Sequence, residues 1–282
     1  GDENTVECMR ILIFNSLTLA LEANHYYGTS SSNPMPSLPA SLNYTLYTGP
    51  KRIIVLGNEP ATLSSALDQL THFSSLQSLT MSEGMTINNT LLPFSTTKEL
   101  IVNLSGSSVK TKIVLERGVG KIQVQIAKDI TSLRTIKLKD IQLINIPSTS
   151  RLIDGYPEPS PTLVDRSPDG LSIFDLGLEY KSLNINSPYI YENYAGSPAR
   201  QTILRVYLTE NGMEKSADVP LVCGTDLLGK YIYGVRRNTV SNMQLTVFDE
   251  HLKIDYTISD WDKETIWDKE LGKKTKNELR IK

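Results

Sequence analysis

Four aspartates, Asp154, Asp165, Asp169 and Asp175, crowd one stretch of the chain. Two carboxylates flanking a substrate are the equipment of a glycoside hydrolase, one acting as acid and the other as base or nucleophile. These four lie in a run rich in proline and turn residues, where carboxylates are ordinarily solvated. The segment "DRSPDG" at 165–170 also lacks the alternating ligands of a calcium loop. His25, His72 and His251 are isolated along the chain, so no metal site is expected. Cys8 and Cys223 are read as separate small buried residues, with a disulfide between them as the lesser alternative. "RGVGK" at 117–121 has neither the spacing nor the following Ser or Thr of a Walker loop, and its glycines are read as a strand bulge. No G-x-S-x-G elbow or H-E-x-x-H pair occurs. The residues predict a protein with no catalytic site and no cofactor.

Two other groups have the chemistry of binding. Arg236, Arg237 and Asn238 could hold a polar ligand, although adjacent arginines are more often ion-paired and an Asn before a strand is more often a turn residue. Tyr189, Tyr191 and Tyr194 in "YIYENY" could form a sugar-stacking platform, with packing of amphipathic aromatics as the preferred reading. Glu192 and Asn193 are expected to tie down a local turn.

The chain has 282 residues, enough for about two domains on the usual size prior. Its hydrophobic content of 39% is ordinary, and Lys+Arg 29 against Asp+Glu 31 gives no charge imbalance pointing to nucleic acid or an anionic membrane surface. No apolar run approaches the roughly 20 residues needed to span a bilayer, and no charged-then-apolar leader stands at the front, so a soluble or already processed chain is expected.

The elements that would position these residues are almost all strands. "TVECMRILIFNS" at 5–16 is apolar on both faces, Met9, Ile11 and Ile13 alternating with Arg10, Leu12 and Phe14, which belongs in a sheet interior with a neighbour on each side. "SLNYTLYT" at 41–48 and "KRIIVLGN" at 51–58, joined by Gly49-Pro50, read as a hairpin. One short amphipathic helix is expected over 61–73, with Leu63, Ala66, Leu67 and Leu70 on one face and Pro60 in the first turn. Further strands are expected at 99–104, 109–116, 121–127, 135–146, 187–196, 201–212, 217–224, 231–248 and 251–261. In the last of these Leu252, Ile254, Tyr256 and Ile258 alternate with polar residues, giving one buried and one wet face. The turn-rich stretch 147–170 sets a domain boundary near 147–150. The pattern predicts an all-β protein of two tandem β-sandwich domains, 1–148 with a short helix and 149–282 with a carboxy-terminal tail.

Six segments in order resemble a known family. "VECMRILIFN", "IIVLGNEP" followed by a helix, "LERGVGKIQV" at 115–124, "PYIYENY" at 188–194, "VRRNTVSNMQLTV" at 235–247 and "DYTISDW" at 255–261 are similar to the Bacteroidales fimbrillins, the type V pilins that supply major and accessory fimbrial subunits. The resemblance covers most of residues 5–261 and implies transthyretin-like sandwiches. It also implies a lipoprotein precursor exported through the outer membrane to the cell surface. In that scheme a trypsin-like protease cuts after an arginine and removes the first strand of the amino-terminal domain. The opened groove then receives a carboxy-terminal segment of another subunit, a form of β-strand addition. On this reading Gly1–Thr5 follows the cut, with an artificially trimmed chain in which Gly1 is a tag remnant as the competing explanation. Met9, Ile11, Ile13 and Phe14 belong to the strand bordering the acceptor groove, and Ile266, Trp267, Leu271, Leu279 and Ile281 are the apolar positions of a donor tail. The tail departs from the pattern: 262–282 is mostly charged, so a solvated extension competes with a donor strand. The implied partners are other fimbrial subunits and a host or bacterial surface ligand, without nucleic acid, and with a membrane only through the lipidated precursor. The alternative function is a cell-surface carbohydrate-binding lipoprotein, for which exposed coplanar aromatics would be expected.

Overall fold

The computed structural model describes residues 3–29, 31–82, 91–103, 108–168, 171–249, 251–261 and 278–281. It is an all-β chain whose contacts divide it into two compact units. The first holds Gly1–Gly118, Thr149–Pro159 and the carboxy-terminal strand, and the second Val119–Ser148 and Ser160–Glu264. The chain thus crosses between units more than once.

In chain order the elements begin with β1 (Met9–Asn15), β2 (Leu21–Tyr27), β3 (Ala40–Leu42) and β4 (Gly49–Gly57), followed by helices α1 (Ser64–Asp68) and α2 (Phe73–Gln77). Next come β5 (Thr80–Ser82), β6 (Phe94–Val102), β7 (Thr111–Val114), β8 (Gly120–Lys128), β9 (Ile136–Pro147) and β10 (Thr149–Arg151). Short strands β11 (Leu163–Arg166), β12 (Phe174–Asp175), β13 (Lys181–Ser182) and β14 (Tyr189–Ile190) precede β15 (Ile203–Glu210) and β16 (Met213–Pro220). The series ends with β17 (Val222–Thr225), β18 (Tyr231–Tyr233), β19 (Thr239–Val247), β20 (Leu252–Asp260) and β21 (Glu278–Ile281).

The first unit is built on a sheet of order β2-β1-β4-β6. β1 is an inner strand, as its two apolar faces predict, and Met9 to Phe14 are buried without exception. One face carries Arg10, Leu12 and Phe14 under the helical segment. Phe14 meets Phe73 of α2 edge-to-face at 5.3 Å, and Arg10 reaches Asp68 of α1 at 2.8 Å. Arg10 is itself buried and grips Glu59 through two hydrogen bonds of 2.7 and 2.8 Å, so the guanidinium is paired where desolvation is costly. The opposite face, Met9, Ile11 and Ile13 beside Ile53 and Val55 of β4, is equally inaccessible.

Two expectations are corrected in this unit. The helix expected over 61–73 is broken: a 3-10 turn at Ala61–Leu63 leads into α1, an isolated bridge joins Ala20 and His72, and α2 starts afresh with the His72 ring accepting from the Ser74 amide. Of the expected apolar face Leu67 and Leu70 are buried, Leu63 is half-buried and Ala66 is exposed, while Phe73 and Leu76 are buried from α2. The hairpin of 41–48 with 51–58 does not form either. β4 pairs with β1 and β6, whereas β3 is only a three-residue strand with a different partner.

The second unit is a β-sandwich. One sheet has the order β11-β9-β15-β16 with β12 also on β9, and the other the order β13-β8-β19-β20 with β14 also on β8. Ile122, Val124 and Ile126 of β8 and Met243, Leu245 and Val247 of β19 join one core with Leu138, Ile141, Leu143, Leu204, Val206 and Leu208 of the facing sheet. β8 and β19 run parallel, the rest of the ladders antiparallel. β9 changes phase midway. Tyr207 faces Asp140 but Leu208 faces Leu138, so Lys139 is an inserted residue, and this bulge lets Ile136 and Leu138 point inward together with Ile141 and Leu143.

Candidate functional site: a strand slot in the first unit

The feature with the clearest capacity to bind is a three-stranded sheet of order β3-β21-β7. Its outer members come from residues 40–42 and 111–114, and its middle strand from the far end of the chain. β21 runs parallel to β3, with Leu279 beside Ala40, Arg280 beside Ser41 and Ile281 beside Leu42. On its other side it runs antiparallel to β7, with Glu278 opposite Val114, Leu279 opposite Ile113, Arg280 opposite Lys112 and Ile281 opposite Thr111. Among the described residues β3 and β7 have no other ladder partner. Removing β21 would leave two facing rows of N–H and C=O groups, which is the geometry of a slot for an extended segment. The flanking strands alternate in burial along this register. Leu279 stands at the position of buried Ile113, and Arg280 between exposed Ser41 and Lys112.

The sequence-derived site residues divide around this slot. Leu279 and Ile281 of the donor-tail set lie in β21, while Ile266, Trp267 and Leu271 fall outside the described residues. Met9, Ile11, Ile13 and Phe14 do not border it through a strand edge. β1 is paired on one side with β2 and on the other with β4, so both its edges are used. The edges of the slot are the short strands β3 and β7 instead. Sequence reasoning placed strands near both, but their common partner is remote in sequence, and no local pattern announces it.

The remaining candidates are structural. Arg237 pairs with Glu192 at 2.8 Å, both side chains at most 5% exposed, and Arg236 reaches Asp260 at 3.4 Å. Asn238 adopts a left-handed φ of 51° and links Val119 and Trp261 through its backbone, as a turn residue would. Asn193 exchanges two backbone hydrogen bonds with Val235, and its amide donates to Thr202 Oγ1 at 2.8 Å and to the Arg200 carbonyl at 3.0 Å. The three tyrosines do not share a face. Tyr191 is fully buried, Tyr189 stacks on Trp261 with centroids 6.0 Å apart, and Tyr194 is exposed.

Nor do the aspartates form a catalytic group among the described residues. Asp154 is exposed, Asp165 accepts from the Asn145 amide, Asp175 faces Lys137 at 3.8 Å, and Asp169 is outside the described residues. No cluster of three metal-ligating side chains occurs among the described residues. Cys8 and Cys223 are both free thiols. Gly120 marks a close approach and not a bulge, since a Cβ there would lie 2.7 Å from the Arg236 carbonyl oxygen.

This β-rich, two-unit chain shares its fold with solved fimbrial and cell adhesion proteins. No family profile matches the chain. It is 26% identical over 219 residues to the major fimbrium subunit FimC of Porphyromonas gingivalis, a match that takes in 76% of this chain and 45% of that protein. The chain therefore spans less than half the length of the curated relatives it matches. In fold it is similar to the tip fimbrial protein Mfa3 of P. gingivalis, solved with a C-terminal truncation, with a TM-score of 0.63, 18% identity and coverage of 92% and 95% of the two chains. A candidate cell adhesion protein of Parabacteroides distasonis aligns with a TM-score of 0.62 and 16% identity over 92% and 89%. The resemblance to the Bacteroidales fimbrillins holds in sequence and in fold.

Proposed function

We infer that the chain is a structural subunit of a cell-surface fimbrium that joins other subunits by strand complementation. The observation that supports this best is the seating of β21 between β3 and β7. A strand drawn from elsewhere in the sequence fills a position that a neighbour's strand could fill with the same backbone hydrogen bonds. In the isolated chain its own β21 occupies the slot. In the fibre the equivalent segment of another subunit replaces it, after a proteolytic step on a lipidated, exported precursor. Affinity comes from the two ladders, and selectivity from which residues stand at the Ile113 position. The same assembly presents the subunit for adhesion to a host or bacterial surface.

The test uses the chain truncated after Trp261 together with a peptide of residues 274–282. Hydrogen exchange at Thr111–Val114 should be fast in the truncated chain and slow again once the peptide is added. Protection at β7 without peptide, or a peptide that leaves exchange unchanged, overturns the reading.

A further inference from the structure

Outward faces of sheets in sandwiches are ordinarily polar, and the sheet containing β15 and β16 follows the rule with charges. Arg205 holds Asp218 through two hydrogen bonds of 2.6 and 2.8 Å, and Lys139 pairs with Glu214. The outward face of the other sheet is built differently. β8 and β19 run parallel in a register that sets Gln123 beside Asn242 and Gln125 beside Gln244, and β20 adds Thr257 beside Asn242. Four amides and a hydroxyl thus tile a floor whose opposite side is core.

The floor has a wall. The neighbour of β8 pairs at Lys181–Ser182, leaves the ladder after the Leu183 amide bonds Val124, and returns at Pro188–Tyr189. In between, Ile185 points into the core and Asn184 is exposed. Floor and wall enclose a trough of about 560 Å³. Its amides are oriented by a relay in which Gln244 Nε2 donates to Gln125 Oε1 at 3.0 Å and Gln125 Nε2 donates to Ser182 Oγ at 3.3 Å. Lys121 also lines the trough and lies over the Trp261 ring, 5.5 Å from its centroid.

We propose that this trough, whose lining holds no aromatic side chain for ring stacking, binds neutral oligosaccharides through hydrogen bonds alone. Amide and hydroxyl groups each offer a donor and an acceptor, the combination that matches the hydroxyls of a pyranose. Lys121 is the one charged residue in the lining, which is too little for a polyanion that needs several cations. The lining side chains over the floor are polar, which disfavours an apolar ligand, and the edge of β8 is open only between its bonds to Leu183 and Pro188, too short a stretch to pair with an added peptide strand. The trough lies within the second unit and uses none of the residues of the strand slot, so its success or failure is independent of the assembly reading.

Native gels of the full chain cast with mannan, dextran or galactomannan, and separately with heparin, test the proposal. At least one neutral polysaccharide should retard the protein. The double substitution Asn242→Ala and Gln244→Ala, on the solvent side of a strand, should weaken the retardation at least fivefold with an unchanged circular dichroism spectrum. Retardation by no neutral polysaccharide, by heparin alone, or equally in the double variant overturns it. A second double variant, Arg205→Ala with Asp218→Ala on the charged sheet, should leave the retardation unchanged.

Discussion

At the residue scale the second unit is held by a buried ion pair that a surface reading would miss. Glu192 and Arg237 face each other at 2.8 Å almost without solvent. A buried pair contributes little beyond an apolar alternative, yet losing one partner strands the other charge. Glu192→Ala should therefore destabilise the second unit by about 3–5 kcal/mol, measured by urea denaturation followed at the tyrosines. A change no larger than that of an exposed substitution would show that water reaches Arg237. The thiols offer a check through pH. Burial pushes both Cys8 and Cys223 above the ordinary thiol range. A raised value favours the neutral thiol, so the associated stability is fully present below the ordinary thiol pKa of about 8.5 and is lost as pH rises through the raised value. Iodoacetamide at pH 8 should label both cysteines far more slowly than glutathione, as read by intact mass, and the gap should narrow toward pH 10. The sequence made the general character of these residues legible, since paired arginines and an Asn before a strand are usually structural. It could not name Glu192 as the partner of Arg237, because a contact between distant segments leaves no periodic trace.

At the element scale, strands were legible where a two-residue period ran long enough beside clear turns. β8, β15, β19 and β20 all lie where alternation placed them, and Leu252, Ile254, Tyr256 and Ile258 are the more buried members of β20. β9 was found despite its broken phase, because apolar residues resume two positions after the Lys139 bulge. Elements failed where the deciding partner was remote. The segment 41–48 alternates well enough for a hairpin, but β4 is claimed on both sides by β1 and β6, and β3 is left for β21. The helix of 61–73 keeps Leu67 and Leu70 inward but leaves Ala66 exposed, and the Ala20–His72 bridge interrupts it. The slot itself makes a prediction that depends only on backbone. Arg280→Pro removes one N–H from a strand that is bonded on both sides. Exchange at Thr111–Val114 should accelerate at least tenfold in hydrogen–deuterium mass spectrometry, while β19 stays protected. Unchanged protection at β7 would mean that β21 contributes nothing to that sheet.

At the scale of the whole molecule, the all-β class was readable from strand density and turn spacing, and the relationship to fimbrial proteins from six short segments in order. The path of the chain between units was not, because the strands that return to the first unit, β10 and β21, pair with segments remote in sequence. The placement of β21 has a mechanical consequence. A strand hydrogen-bonded along both flanks and pulled along its own axis must give up both ladders together, whereas a strand peeled sideways from one edge loses its bonds one at a time. An inserted middle strand therefore resists tension by shear, and the proposed junction between subunits would hold against flow longer than one made at a single sheet edge.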